Sequence, residues 1–303
     1  MELRVLQYFL AVAREQSIVR AAESLHLSQP TLSTQIKAME EELGKQLLIR
    51  GTKGSRKITL TEEGMILRKR AEEILNLVQK TEKEIALSDQ IVAGDVYIGT
   101  GETDAVRLIA KTAKSLYEIY PDIHYHIASG NAEFVLEQLE KGLIDFGIIF
   151  DTVDQNKYNE INIPYKDIWG VLMRRDSPLA QKESITPEDL PDKPLIVSRQ
   201  GNSFGALASW MGVEISDLEI VATYNLLFNA SLMVAEGLGY AIGFDRIINT
   251  SGNSNLCFRP LSPKKEAEMS IIWKKYQILS KASEKFINKL KEIAEMYQES
   301  TDT

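Results

Sequence analysis

Cysteine is all but absent. Cys257 stands alone, so no intrachain disulfide can form, which fits a reducing, cytoplasmic setting. Long apolar runs are absent too: none approaches the roughly 18 residues that a membrane-spanning helix needs, and no membrane partner is expected. Near the start, Ala11-Val12-Ala13 has the small-residue spacing of an export-signal cleavage site. Glu2 spoils the basic start such a signal needs, Gln7 interrupts the apolar run, and the helical pattern continues into Ala21. That stretch reads as a folded helix. Histidine is limited to three residues. His26 falls in a turn. His124 and His126 share one face of a strand, which is half a zinc site with no third ligand in view. There is no His-Glu-x-x-His and no phosphate-loop spacing, and Gly99-Thr100-Gly101 lacks the third glycine of a dinucleotide loop. No catalytic residue, metal or cofactor is expected, and the chain reads as a non-enzyme. Internal repeats and low-complexity tracts are missing as well.

What is present is the composition of a soluble globular protein, 44% hydrophobic and 26% charged over 303 residues, long enough for two or three domains with real cores. The net charge of -8 taken whole argues against a nucleic-acid binder, but it is unevenly spread. Residues 1–60 carry nine Lys/Arg against six Asp/Glu, a balance of +3, and the remainder carries 26 against 37, a balance of -11. A basic end on an acidic body fits a DNA-binding module joined to something else.

The basic end is organised around residues 28–43. Leu32, Ile36, Met39 and Leu43 step by four, three and four, which predicts a helix with one apolar face. Ser28 is placed to cap it, and Pro30 is tolerable in its first turn. The opposite face carries Gln29, Thr31, Ser33, Thr34, Gln35 and Lys37, donors and acceptors suited to base edges and phosphates in a major groove. An ordinary amphipathic surface helix would look similar, so its neighbours matter. Residues 3–15 read as a helix with Leu3, Leu6, Phe9, Leu10 and Ala13 on one face. Ser17 caps a second, short helix containing Ile18, Ala21, Ala22 and Leu25. Two short helices, a turn and a polar-faced helix make a helix-turn-helix. Gly44 ends the third helix. Leu47–Arg50 and Ile58–Leu60 then read as a hairpin whose cations Arg50, Lys53, Arg56 and Lys57 form a wing able to reach phosphates. Thr61-Glu62-Glu63 opens a long helix over 61–90, ~45 Å at 1.5 Å per residue. Along it Leu67, Ala71, Ile74, Val78, Thr81 and Ile85 repeat at 3.5 residues, a spacing that suits a dimer seam; packing on its own domain is the alternative.

Arg20-Ala21-Ala22-Glu23-Ser24-Leu25-His26-Leu27-Ser28-Gln29-Pro30-Thr31-Leu32-Ser33 resembles the signature of LysR-type transcriptional regulators. Glu41-Glu42-Leu43-Gly44, Leu47, Arg50 and Leu60-Thr61-Glu62-Glu63-Gly64 continue it in order. The match is dense over residues 1–75 and rests on element order beyond. Ile18 and Leu48 stand where the family usually has phenylalanine, Val19 where it has a small polar residue, and Met39 where it has leucine. No DNA role is carried to Val19.

After Ala93-Gly94 strands alternate with helices. Strands are expected at 95–99, 124–129, 143–150, 168–174, 195–198, 219–223 and 240–244. Helices are expected at 103–119, 132–141, 203–211, 226–236 and 281–298. The resemblance implies an α/β effector domain of two subdomains, like periplasmic binding proteins, with crossovers near 151–165 and 258–272 and a ligand cleft between them. The expected organisation is a winged helix-turn-helix over 1–60, a linker helix over 61–91 with the seam Leu67, Ala71, Ile74, Val78 and Ile85, and an effector domain over 92–303. Subdomain I takes about 92–160 and 270–303, and subdomain II about 161–269. Ligands of such sheets bind beyond the strand carboxyl ends. That singles out Thr100, Gly101, Glu102 and Thr103; Ser129, Gly130 and Asn131; and Ser198, Arg199 and Asn202. The resemblance marks Thr100, Ser129 and Asn202 first among them, with plain helix caps as the alternative. Glu102 and Asp104 would repel an anionic effector, and Arg199 would offset this. The expected partners are promoter DNA with an inverted repeat, a small-molecule effector and a second copy of the chain, as a dimer or tetramer. A solute-binding protein of the same cleft architecture is the rival, and the DNA-binding end counts against it.

Overall fold

The structure is a computed structural model that describes residues 1–50, 57–86, 92–150, 153–199 and 203–301. The chain divides into two compact units, Met1–Ser88 and Asp89–Thr303.

In the first unit, α1 (Leu3–Glu15), α2 (Ile18–Ser24) and α3 (Gln29–Leu43) precede a hairpin of β1 (Leu48–Arg50) and β2 (Ile58–Leu60), and α4 (Glu62–Ala86) follows. The caps are those the side chains allow. Ser17 accepts from the Arg20 amide at 3.4 Å and Ser28 from the Thr31 amide at 3.2 Å. His26 takes a left-handed φ of 54° in the turn between α2 and α3, and Gly44 one of 64° at the end of α3. The core joins Leu6, Phe9 and Val12 of α1 to Ala21 and Ala22 of α2, to Leu32, Ile36 and Met39 of α3, and to Leu47, Leu48 and Ala71. The alanines let α2 approach closely. Two expected stripes are narrower than their spacing suggests. Leu3 is 46% and Leu43 41% exposed, because each lies at a helix end, beyond the core.

The expected seam on α4 needs correcting. Ala71 is completely buried in this unit's own core, and Leu67 and Ile74 pack against that core. A side chain with no exposed surface cannot meet a partner, so Ala71 leaves the seam, while Leu67 and Ile74 are half-buried against the unit's own core. Val78 is half-buried, and Ile85 is 78% exposed. The helix is described to Ala86, and residues 87–91 of the expected linker lie outside the described residues.

In the second unit, β3 (Gly94–Thr100), α5 (Val106–Tyr117), β4 (Ile123–Ser129), α6 (Ala132–Glu140), β5 (Phe146–Ile149) and β6 (Tyr158–Asn162) build most of one subdomain. The chain crosses into β7 (Asp167–Arg174), β8 (Leu195–Ser198), α7 (Ser203–Met211), β9 (Ile220–Tyr224), α8 (Leu227–Ala235), β10 (Tyr240–Phe244), β11 (Leu256–Pro260) and β12 (Glu266–Ala267). It returns through β13 (Ser270–Lys274) to α9 (Lys281–Thr301). The first sheet runs β4-β3-β5-β13-β6 and the second β9-β8-β10-β7-β11, with β12 beside β7. The β3/β4, β3/β5, β8/β9 and β8/β10 pairs are parallel, and β13 lies antiparallel to β5 and β6. Each sheet is covered on both faces. Leu108, Phe286 and Leu290 pack on one side of the first sheet and Val135 and Leu139 on the other. Such sheets leave their strand ends as the place for polar chemistry. The strands β6, β11 and β13 lie within or beside the stretches expected as crossovers, and α5 starts at Val106, three residues later than expected. Thr103 explains that shift: its hydroxyl accepts from the Ala105 amide at 3.0 Å, which turns the chain before the helix begins.

Asp167 opens β7 immediately after the crossover. It is 4% exposed, and its Oδ2 has no hydrogen-bond partner among the described residues. Burial pushes its pKa up to about 6, against the pull of the Thr103 hydroxyl, the Asp104 amide and Arg246. Asp104 pairs with Arg107 at 2.6 Å and with Arg246 at 3.7 Å, so this junction gathers charge from both subdomains.

Two predictions follow from packing and burial. An ideal Cβ on Gly64 would stand 2.2 Å from the Leu47 carbonyl oxygen. Gly64→Ala is expected to destabilise the first unit by about 1–3 kcal/mol, read as a lower denaturant midpoint; an unchanged midpoint would disprove the close approach. For Asp167, the folded pKa lies above the unfolded one, so its contribution to stability is greatest below pH 3.8, falls as pH rises towards about 6 and is flat beyond. Asp167→Asn is expected to remove this fall and to melt no lower than wild type at pH 7. Parallel melting curves for both proteins across that window would refute it.

Candidate DNA-recognition face and effector cleft

On α3 the polar face is presented to solvent. Gln29, Pro30, Thr31, Thr34, Gln35 and Lys37 are exposed and Ser33 is half-buried. Some of these side chains are partly committed. The Thr31 hydroxyl lies 2.7 Å from that of Ser28, Thr34 donates to the Pro30 carbonyl at 2.9 Å, and Lys37 pairs with Glu41 at 3.4 Å. Gln29 and Gln35 have no side-chain hydrogen bond among the described residues. The hairpin is fastened to α3 by a residue the sequence reading passed over. Glu40 accepts from the Leu47 amide at 2.7 Å and the Leu48 amide at 3.1 Å, and Thr61 donates to the Gln46 carbonyl at 2.8 Å. The place of Glu40 in the last turn of α3, just before Gly44 and the hairpin, was the available signal. Of the expected wing cations, Arg50 lies in β1 and Lys57 is exposed just before β2, whereas Lys53 and Arg56 lie outside the described residues.

In the second unit, three adjoining cavities gather at the strand ends between the two sheets. One, of 450 Å³, is lined by Glu102, Phe150, Trp169, Ser198, Tyr224, Asn225, Leu227, Phe244 and Lys265, among others. A second, of 580 Å³, is lined by Ser129, Gly130, Asn131, Arg199, Tyr224 and Asn225. A third, of 390 Å³, is lined by Thr100, Gly101, Glu102, Thr103, Ser129 and Arg246. The candidate positions thus surround one region but divide between its chambers, and Asn202 lies outside the described residues. Several have local partners. Thr100 donates to the Gly101 carbonyl at 3.0 Å, Thr103 to the Met269 sulfur at 3.2 Å, and Asn131 accepts from the Phe134 amide at 2.9 Å as the cap of α6.

Two features were not anticipated. One is the aromatic wall. Phe150 stacks on Phe244 with ring centroids 5.0 Å apart, and Trp169 meets Phe244 at 4.5 Å. Tyr224 donates to the Ile242 carbonyl at 2.7 Å, and burial, helped by the charge of Glu102, raises its pKa. Phe150, Tyr224 and Phe244 stand at or just past strand carboxyl ends, a signal open to sequence reading. The other is a contact across the cleft: the Glu102 carboxylate accepts from the Leu227 amide at the N-terminus of α8.

Gly201-Asn202-Ser203-Phe204-Gly205, a motif the sequence was first read as lacking, has the Gly-x-Ser-x-Gly spacing of a hydrolase nucleophile elbow, and its last three residues belong to α7. An α/β-hydrolase triad places its histidine after the serine in chain order. The last histidine here is His126, on β4, where it lies 2.7 Å from Asp95. Among the described residues no His/Cys/Asp/Glu group could hold a metal ion, and no helix is long and apolar enough to cross a membrane.

Comparison with known proteins agrees with this geometry. The family model for the bacterial regulatory helix-turn-helix protein, lysR family, matches residues 3–65, and that for the LysR substrate binding domain matches residues 90–295. YvbU, an HTH-type transcriptional regulator of Bacillus subtilis (strain 168), is 27% identical over 296 residues, 97% of this chain and 99% of that protein. BsdA, an HTH-type transcriptional regulator of the same organism, is 33% identical over 208 residues, 68% of this chain and 69% of that one. OxyR, a DNA-binding transcriptional dual regulator of Escherichia coli (strain K12), is 29% identical over 202 residues, 67% of this chain and 65% of its own. In fold the chain resembles the crystal structure of CbnR, a LysR family transcriptional regulator, with a TM-score of 0.76 at 20% identity, covering 97% of this chain and 99% of that one. The chain belongs to the LysR family of bacterial transcriptional regulators, with a DNA-binding helix-turn-helix at its N-terminal end and an effector-binding α/β domain after it.

Proposed function

We propose that this regulator reads an interrupted inverted repeat in promoter DNA as a dimer or higher homo-oligomer in the cytoplasm. Its α3 lies in the major groove, and a small molecule in the α/β cleft controls the outcome. The observation that carries the DNA reading is the exposed polar face of α3, capped by Ser28 and fastened to the hairpin by Glu40. Gln29, Thr31, Ser33 and Gln35 meet base edges or nearby phosphates, and Arg50, Lys53, Arg56 and Lys57 meet the backbone. Ser129, Asn131, Ser198 and Arg199, with Thr100 behind them, form the polar part of the effector site. The family consists of transcriptional regulators, and a serine motif with no histidine after it supports the reading as a non-enzyme.

A peroxide response, the role named for several relatives, is not favoured for this chain. Cys257 is its single cysteine and is 4% exposed, and burial pushes its thiol pKa up. A sensing thiol needs the opposite, exposure and a lowered pKa.

Assembly uses the second half of α4. Leu77 is 42% and Ile85 78% exposed; with Val78 and Thr81 they continue the stripe beyond the unit's core. A second apolar surface lies on α8, where Phe228 is 60% and Leu232 55% exposed, and it suits a contact between effector domains.

Two experiments test the reading. Gln35→Ala is expected to cost ~1–3 kcal/mol at the specific operator, whereas Lys57→Ala weakens binding to all sequences and flattens the salt dependence. Gel-shift titrations at several salt concentrations decide it, and two variants with wild-type affinity and slope would remove α3 and the hairpin from the interface. Leu77→Asp combined with Ile85→Asp is expected to shift the protein towards monomer in sedimentation velocity with its melting profile retained. An unchanged sedimentation coefficient would exclude this half of α4 as the seam.

A further inference from the structure

The effector cleft carries a charge arrangement that points to the class of its ligand. In the 450 Å³ cavity the aromatic rings of Phe150, Trp169 and Phe244 form the walls. Phe150 comes from the subdomain of β3–β6 and the other two from β7 and β10, so a flat ligand laid against this joined aromatic surface touches both subdomains. Four charged side chains line this cavity: Glu102, Lys265, Glu266 and Glu268. Glu266 pairs with Lys264 at 2.5 Å and with Lys166 at 3.6 Å, and Glu268 with Lys166 at 2.6 Å. Asp104, which the sequence marked as a second source of repulsion, is held by Arg107 and Arg246 and lines the neighbouring chamber instead. Arg199 lines the other neighbouring chamber.

That leaves Glu102 and Lys265. One oxygen of Glu102 takes the Leu227 amide, so the chain's own carboxylate occupies the end of α8 where an anionic ligand group would otherwise be drawn. Its other oxygen has no hydrogen-bond partner among the described residues. Lys265 is half-buried, and its ammonium has no carboxylate or hydroxyl partner among them. The aromatic chamber therefore offers one acceptor of negative charge and one donor of positive charge, which balance. A lone ligand carboxylate gains Lys265 but is opposed by Glu102, and a lone ligand ammonium gains Glu102 but is opposed by Lys265; either leaves the partly desolvated site with a net charge that a neutral ligand does not add.

Taking this cleft as the effector site, we propose that its aromatic chamber selects an uncharged planar ring compound that carries both a hydrogen-bond donor, for Glu102, and an acceptor, for Lys265. The rings supply the affinity for the flat body, and the two charges set the specificity.

A matched series tests it: 2-naphthamide, 2-naphthoate and 2-naphthylmethylammonium, titrated into the full-length chain by ligand-observed NMR. The amide is expected to bind about tenfold tighter than either ion. Glu102→Gln, which keeps the shape and removes the charge, is expected to move the preference towards the naphthoate. Lys265→Met moves it towards the ammonium. Phe244→Leu weakens all three alike, which locates them in this chamber. A wild-type preference for either ion, no binding by any of the three, or an unchanged amide-to-naphthoate ratio in Glu102→Gln would overturn the proposal. The regulator reading is judged separately, by promoter binding of the same full-length protein without any of these compounds, so the two fail independently.

Discussion

A parallel sheet covered on both faces has almost nowhere to do polar chemistry except beyond the ends of its strands. That constraint organises the effector unit. Val96, Ile98, Phe146 and Ile148 are at most 2% exposed in the first sheet, and Val171, Leu195, Ile196 and Val197 at most 1% in the second. Neither sheet interior can therefore admit a solvated ligand. The polar groups of Thr100, Ser129 and Ser198 stand at the ends of β3, β4 and β8, and the rings of Tyr224 and Phe244 end β9 and β10. Because each sheet delivers its strand ends to the same region, the cleft is lined from both sides without any long loop. Glu102 exploits this: it leaves β3 and meets the first amide of α8 directly.

The DNA-binding unit faces a different constraint, that of holding a short hairpin beside a helix with little core of its own. A two-stranded hairpin is marginal in isolation, and here the attachment is polar. Glu40 takes two successive amides at the entry to β1, the Ile58 amide donates to the Gln16 carbonyl at the end of α1, and the Thr61 amide donates to the Leu47 carbonyl. Thr61 also caps α4, accepting from the Gly64 amide at 3.0 Å. One threonine thus ties the hairpin to the long helix, and one glutamate ties it to α3. The polar face of α3 and Lys57 are held in one frame by bonds that, among the described residues, involve the side chain of neither Gln29 nor Gln35.

Much of this was legible because local rules and tertiary packing agree. Ser17, Ser28, Gly44 and Thr61 mark helix ends by side-chain chemistry that needs no long-range partner, and they mark them in the structure. The apolar runs of β5 and β8 read as buried strands because both faces are covered. Where the reading fell short, the missing information was three-dimensional. Periodicity reported that Leu67, Ala71 and Ile74 share a face with Val78 and Ile85, but not that the core of the same unit ends between them. Leu3 and Leu43 keep the helical spacing and still overrun the core. The 256–260 strand lay partly under a crossover because its partner, β7, is distant in sequence. The aromatic wall was missed for the same reason: Phe150, Trp169 and Phe244 are scattered along the chain, and only the cleft brings them together.

The charge distribution gives this separation of tasks its physical sense. A protein with a net charge of -8 has a long-range field that opposes DNA, yet at physiological salt the field of an exposed charge fades within ~8 Å. What a phosphate meets is therefore set by the nearest residues, and in residues 1–60 cations outnumber acids by nine to six. The acidic remainder disfavours non-specific contact through the effector unit, which in the proposed reading leaves α3 and the hairpin as the surface for DNA. The same screening argument separates the two sites chemically. In the cleft, Glu102 and Lys265 are partly withdrawn from water, where charge is screened less than at the surface, so in the proposed reading one carboxylate and one ammonium suffice to discriminate among ligands. On α3, where Gln29, Thr31 and Gln35 are exposed and Ser33 is half-buried, individual charges count for less, and in the proposed reading discrimination falls to the hydrogen-bonding pattern of these four.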